Sequence, residues 1–436
     1  MTTQFTSAFP DKRWYALDNA AKIYPAVRTA RWHPIFRLSA TLHEEVDPVR
    51  LQAALAAVLP RFPHIKSRLR RGLFWYYIED NAGMPCVQED VRNPCMVIRE
   101  KENGYFHFRV RYYQRRIAVE FLHSLTDGGG GMVFLKTLTA QYLALGGHPI
   151  PAGDGVLDCA RGATPEELED SYKKHADLSA VRSRRERRAW HVPGAREGAG
   201  VMHLTTGVIP TEALRAAARE RGVSVTELLV AVQLYALHRV QREMTPAARR
   251  AVKVSVPVDM RRFYPSKTLR NFSLFINVGV EPGLGEYSFD EITKHVHHTL
   301  RRDVNTKYLN SMMAMNVSSE NNPLLRGVPL FVKKASLIMA YQILGEQQFT
   351  MSFSNLGATT VPEAMRPLVE RFDMILGPPR TNRLAAAVVS YGGVTTVNFT
   401  RDMPQPQVER IFFTQLVKIG LPVRVESNEM GASHHG

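Results

Sequence analysis

The chain has 436 residues, 44% hydrophobic and 22% charged, a balance that supports a large core and excludes disorder over most of its length. Its three cysteines (Cys86, Cys95, Cys159) have no CxxC spacing, which excludes a disulfide framework or cysteine-based zinc site and points to a reducing compartment, the cytoplasm. Lys and Arg total 56 against 41 Asp and Glu, a net charge of +15 that calls for an anionic partner.

The opening residues, MTTQFTSAFPDKRW, lack the apolar stretch of a secretory signal. No apolar run reaches the ~18 residues expected of a transmembrane helix. A first strand is predicted at 35–42. Asp47 and Pro48 then suit the cap and first position of a helix, with Leu51, Leu55, Val58 and Leu59 at helical spacing. Strands are predicted at 74–78, 105–113 and 116–122, followed by a helix over 132–145.

Between Gly153 and Gly200 the chain turns polar and basic. Lys173, Lys174, Arg182, Arg184, Arg185, Arg187, Arg188 and Arg196 fall there. This stretch reads as a solvated linker with a helix over 165–180, or as a docking patch for a phosphorylated ligand or an acidic protein. Nucleic acid is not expected, because no helix-turn-helix spacing, RNP motif or zinc finger accompanies the basic run. The predicted division is a first lobe at 1–152, the linker at 153–200, and a second lobe at 201–436.

The second lobe repeats the order of the first. A strand is predicted at 201–209, with a helix opening at Pro210-Thr211-Glu212. Ser224-Val225-Thr226-Glu227 forms a capping box before an apolar helix through Leu237. A hairpin at 385–400 turns at Gly392-Gly393, and a helix follows at 407–419. The two hairpin–helix units superpose at an offset of 278, which pairs Phe121 with Phe399, Leu135 with Phe413 and Thr139 with Val417. His123 then meets Arg401. One copy is equipped for chemistry and one is not, and a site near the contact of two α/β lobes is expected.

The chemistry concentrates at Phe121-Leu122-His123-Ser124-Leu125-Thr126-Asp127, followed by glycines at 128–131. Side chains alternate along a strand, so His123 shares the face of Ile117, Val119 and Phe121. Burial on that face would lower the imidazole pKa and favour the neutral form, which a general base needs. The glycines lack the following Lys-Ser/Thr of a P-loop. A helix bearing His295, His297 and His298 offers a weaker alternative, a metal hydrolase, but lacks HExxH.

HSLTDGG resembles the His-x-x-x-Asp-Gly signature of the CoA-dependent acyltransferase superfamily. That superfamily includes chloramphenicol acetyltransferase, BAHD, wax-ester and mycolipid acyltransferases, and peptide condensation domains. Val256-Pro257-Val258-Asp259-Met260-Arg261 and Asn271-Phe272-Ser273-Leu274-Phe275-Ile276-Asn277 are similar to condensation-domain blocks. Ser354-Asn355-Leu356-Gly357 resembles a segment of the alcohol acetyltransferase and mycolipid acyltransferase branches. The BAHD Asp-Phe-Gly-Trp-Gly motif is absent.

The resemblance implies two chloramphenicol-acetyltransferase-like lobes with a tunnel between them and His123 at mid-tunnel. It implies acyl transfer, acetyl first among the candidates, from acyl-CoA to a small-molecule or lipid alcohol, without a bound cofactor, metal or covalent intermediate. His123 is then the general base. Asp127 pairs with Arg261, Gly128 permits the turn, and Asn277, Ser354 and Asn355 are candidate oxyanion donors. A stand-alone condensation enzyme taking thioesters from an acidic carrier protein is the alternative, and a noncatalytic scaffold is a third reading. A monomer is expected, since two lobes in one chain already build the site.

Overall fold

The computed structural model describes residues 13–180 and 186–429. Arg182, Arg184 and Arg185 of the basic stretch lie outside the described residues.

The strands, in chain order, are β1 (Trp14–Ala16), β2 (Ile35–Leu42), β3 (Ser67–Arg71), β4 (Tyr76–Asp80), β5 (Gln88–Glu89), β6 (Phe108–Tyr113), β7 (Arg116–Leu122), β8 (His203–Pro210), β9 (Val252–Asp259), β10 (Ser273–Val280), β11 (Met351–Ala358), β12 (Val369–Leu376), β13 (Leu384–Tyr391), β14 (Val394–Arg401) and β15 (Arg424–Ser427). They build three sheets with orders β12-β2-β7-β6-β5, β10-β9-β11-β13-β14-β8-β15, and β1-β4-β3. Helices pack on the two larger sheets, so the class is mixed α/β with two lobes.

In the first lobe, Ile117, Val119 and Phe121 of β7 bury against the Pro48–Val58 and Gly128–Leu145 helices. The alternate residue Glu120, fully buried, points to the other face, where Arg37 and Arg109 bind it. Strand parity therefore separates an apolar face from an ionic one, and His123 follows on the apolar side. Asp47 caps its helix by accepting from the Val49 and Arg50 N–H groups.

The second lobe packs the Val225–Met244, Phe289–Asp303 and Gln407–Lys418 helices on its sheet. Ser224 and Glu227 form the reciprocal cap expected from sequence. The helix continues past Leu237 to Met244. Gly392 and Gly393 turn the β13–β14 hairpin with φ of 57° and 83°.

Several expectations shift. The Gly128–Leu145 helix starts four residues before the predicted Met132, because Asp127 caps it on Gly130 N–H. The expected helix over 165–180 breaks into Pro165–Leu168 and Ser171–His175, then a short 3₁₀ turn at Leu178–Ala180. The 153–200 stretch is no free linker, since Trp190 and Val192 bury in the second core. Linear lobe boundaries also fail at one strand. β12 leaves the second half of the chain to pair antiparallel with β2 in the first sheet, Met374 opposite Leu38. That crossover stitches the lobes together where the site forms.

Candidate active site

A cavity of ≈ 1180 Å³ lies between the lobes, and His123, Asp127, Arg261, Ser354 and Asn355 all contribute to its wall. Pockets for one small molecule run to about 300–1,000 Å³, so this volume suits two substrates meeting.

His123 stands one residue beyond β7, where its N–H donates to the Pro34 carbonyl at 2.9 Å and the chain turns. The side chain is half-buried, not sealed in the core as its parity suggested, because the strand ends and the ring faces the cavity. Tyr24 stacks on the imidazole at 4.7 Å between centroids, and Phe36 tilts against it at 5.2 Å. Nδ1 lies 3.0 Å from Asn271 Oδ1. The two rings and this bond fix the imidazole plane.

Asp127 has a different task. Its carboxylate and the Arg261 guanidinium pair through two contacts, Nη1 to Oδ2 at 2.9 Å and Nη2 to Oδ1 at 3.2 Å. Gly130 N–H donates to Oδ1 at 3.0 Å and Phe272 N–H to Oδ2 at 2.8 Å. Burial pushes the Asp127 carboxyl up, but Arg261 and the two backbone donors outweigh it and hold the group below its ordinary value. Arg261 spends its remaining donors on Asp259 and on the Thr268 and Arg270 carbonyls.

The segment 268–272 wraps the motif residue by residue. The Thr268 and Arg270 carbonyls hold Arg261, and Leu269 O accepts from Thr126 Oγ1 at 2.7 Å. Asn271 reaches His123, and Phe272 N–H reaches Asp127. This close wrapping explains a glycine, though not the expected one. Gly128 is the first residue of a helix, and a Cβ there would meet only the Leu356 and Met374 side chains. A Cβ on Gly130 would sit 2.1 Å from the Leu269 carbonyl oxygen, so Gly130 admits the clasp.

Of the three expected oxyanion donors, two line the cavity and one does not. Asn277 lies further along β10, outside the cavity wall, and its amide donates to Glu186 at 2.8 Å. Asn355 lines the cavity, where its amide donates one N–H to Thr226 Oγ1 at 3.0 Å, accepts from Gly357 N–H at 2.7 Å and keeps a second N–H. Ser354 keeps a hydroxyl whose contact is a long one, 4.0 Å to Met374 sulfur. Thr226 also lines the cavity, and since its oxygen accepts from Asn355, its O–H proton remains available.

Sequence reading missed Asp18, Tyr24, Thr226 and Asn271. Asn271 lay within a quoted block, but only Asn277 was picked from it. His297 contacts Glu227 at 3.3 Å, while His295 and His298 are exposed. Among the described residues, no group of three or more His, Cys, Asp or Glu side chains is placed to hold a metal ion.

No protein-family model matches the sequence, and no curated protein matches it. Solved structures do. Fusarium sporotrichioides TRI101, solved with coenzyme A and T-2, matches with a TM-score of 0.62 at 11% identity, over 95% of this chain and 100% of that one. Trichothecene 15-O-acetyltransferase TRI3 from the same organism gives 0.61 at 12% identity over 96% of both chains. The starter condensation domain of rhizomide synthetase, solved with C8-CoA and Leu-SNAC, gives 0.57 at 13% identity, over 93% of this chain and 94% of that one. The chain therefore has the two-lobed fold shared by these acetyltransferases and condensation domains.

Proposed function

We propose that the chain is an O-acyltransferase that moves an acyl group from acyl-CoA to an alcohol, with His123 as general base. The observation that carries this reading is the imidazole itself. It lines the cavity between the lobes with Nδ1 engaged by Asn271, and Nε2 has no protein partner among the described residues. Fold neighbours solved with coenzyme A or C8-CoA support the same donor class.

In the reaction, Nε2 accepts the proton of the acceptor hydroxyl as its oxygen attacks the thioester carbonyl carbon. The resulting oxyanion takes a hydrogen bond from Ser354, with Thr226 as a second donor in reach of the cavity. Collapse breaks the carbon–sulfur bond, and the departing thiolate takes the proton from the imidazolium. Ester and free thiol result, and the enzyme returns to its starting state without a covalent intermediate. Asp127 and Arg261 hold the loop and do not touch the transferred proton.

No single helix among the described residues is long and apolar enough to cross a membrane. We place the protein in a reducing compartment because its three cysteines are free, and as a monomer because one chain supplies both walls of the cavity. An acidic carrier protein as thioester donor is the competing source of the acyl group.

The experiment is to incubate the protein with acyl-CoA of several chain lengths and a panel of alcohols and to identify products by mass spectrometry. The same donors loaded on a carrier run in parallel. His123→Ala should lower kcat by about 10²–10⁴-fold, the usual contribution of a positioned base. Ser354→Ala should lower it by about 10²–10³-fold, as loss of one oxyanion donor does. Near-normal turnover by His123→Ala would refute the general-base role. Turnover from carrier-bound donors alone would move the donor from CoA to a carrier.

A further inference from the structure

The mechanism needs the lone pair on Nε2, yet a neutral imidazole carries its proton on either nitrogen. Which nitrogen holds it is set by what the other one meets. We propose that Asp18 and Asn271 are positioning residues that lock His123 with its proton on Nδ1, leaving Nε2 free to take the acceptor proton. This inference rests on the general-base reading and adds two residues that act through the imidazole.

Asp18 has a wholly buried side chain. Oδ1 accepts from Ala21 N–H at 2.8 Å, and the Arg270 guanidinium lies 3.6 Å from Oδ2. A carboxylate beside a guanidinium can only accept hydrogen bonds. Asn271, also buried, places its side-chain nitrogen 3.1 Å from Asp18 Oδ2. Turning that amide over would set its carbonyl oxygen against the carboxylate, two acceptors without a proton between them. Asp18 therefore fixes which end of Asn271 faces His123. The end that does so is Oδ1, an oxygen that accepts and cannot donate, at 3.0 Å from Nδ1.

Nδ1 must then be the protonated nitrogen. Other contacts reinforce this orientation. Tyr24 and Phe36 hold the ring plane, and a half-turn within that plane would put Cδ2 in place of Nδ1 and lose the bond to Asn271. Arg270 is itself anchored, donating to the Ala16 and Leu168 carbonyls. The chain of bonds runs from a carboxylate through a neutral amide to the imidazole. It orients the base and also places an acceptor against Nδ1–H when the ring becomes a cation mid-reaction.

Asp18, His123 and Asn271 come from three separate parts of the sequence, and the cavity forms where they meet. The Asp127–Arg261 pair closes the same loop from the other side, so two buried acids serve one histidine. Asp127 fixes where the ring stands, and Asp18 fixes how it is protonated.

Nitrogen-15 NMR of histidine-labelled protein tests this without substrate, with His123→Gln used to assign the signal among 15 histidines. The wild type should show Nδ1 protonated and Nε2 bare. Asn271→Leu should move His123 to a mixed or Nε2-protonated state, and kcat should fall at least about tenfold out of the ~10²–10⁴ a positioned base supplies, with KM nearly unchanged. Asp18→Asn, which keeps the shape but frees the Asn271 amide to turn, should give a smaller shift of the same kind. A wild-type spectrum with Nε2 protonated overturns the proposal. So does an Asn271→Leu protein that keeps the Nδ1–H form, or variants of both residues that keep full kcat while His123→Ala is inactive. If wild type transfers no acyl group from any donor, the functional reading falls and the tautomer measurement still decides this one.

Discussion

The β6–β7 hairpin with the Gly128–Leu145 helix, and the β13–β14 hairpin with the Gln407–Lys418 helix, are two renderings of one unit. β7 and β14 begin at corresponding positions, and the strand ends place His123 against Arg401. Each unit buries an acid–arginine pair nearby, and the pairs behave oppositely. Asp127 receives two contacts from Arg261 and two backbone N–H donors, and sits below its ordinary pKa despite burial. Glu409 receives Arg401 Nη1 at 2.7 Å on one oxygen, while its Oε2 and Arg401 Nε are buried without partners among the described residues. Burial pushes the Glu409 carboxyl up more than Arg401 brings it down. A full set of donors, more than the presence of an arginine, decides whether a buried carboxylate is comfortable. The first unit spends its charges on pinning a loop across the lobe contact. The second closes its charges inside its own lobe and Arg401 seals the position where the other copy opens a site.

Arg401→Met leaves Glu409 buried without its partner, and should cost about 3–5 kcal/mol. It should appear as a lower denaturation midpoint, with turnover per folded molecule unchanged because Arg401 lies outside the cavity wall. Equal stability of variant and wild type would mean Glu409 is not held as a charge. A sharper form uses double variants. Arg401→Met with Glu409→Leu removes a half-satisfied pair and should recover most of the lost stability. Asp127→Asn with Arg261→Met should not recover, because an amide in place of the carboxylate has a single oxygen and cannot accept from both Gly130 and Phe272. An unpaired buried donor costs about 1–3 kcal/mol, and loss of the loop's shape should also depress kcat. Recovery by both doubles would erase the distinction between the pairs.

The sequence was legible where contacts are local or patterned. Strand parity put His123 on the apolar side, Asp47 and Ser224 announced their helices, and the Gly-Gly hairpin and its offset copy were readable by spacing. It was illegible where chemistry depends on who arrives from far away. Asp18 and Asn271 are 253 positions apart, and no periodicity links them. Val369–Leu376 drew no prediction, and nothing in it says that it pairs with β2 in the other lobe. Gly128 drew attention as the signature glycine, whereas the contact that demands a glycine, Leu269 O against Gly130, comes from the second lobe. Asn277 looked interchangeable with Ser354 and Asn355 because residue type alone cannot show which side chains reach the cavity.

The smallest effect follows from the opposed shifts, and it separates the two pairs by pH alone. Asp127 has a folded pKa below its unfolded value of about 3.9. Its contribution to stability is complete above the unfolded value and is lost as pH falls through the folded one. Glu409 has a folded pKa above its unfolded value of about 4.3. Its contribution is complete below the unfolded value and is lost as pH rises through the folded one. Denaturant midpoints measured across acid and neutral pH should therefore show Asp127→Asn losing less than wild type on acidification. The Arg401→Met/Glu409→Leu protein should instead gain on wild type as pH rises from about 4 towards neutrality. Parallel curves for all three proteins would mean that neither carboxylate is perturbed, and the contrast between a satisfied and a half-satisfied pair would lose its electrostatic basis.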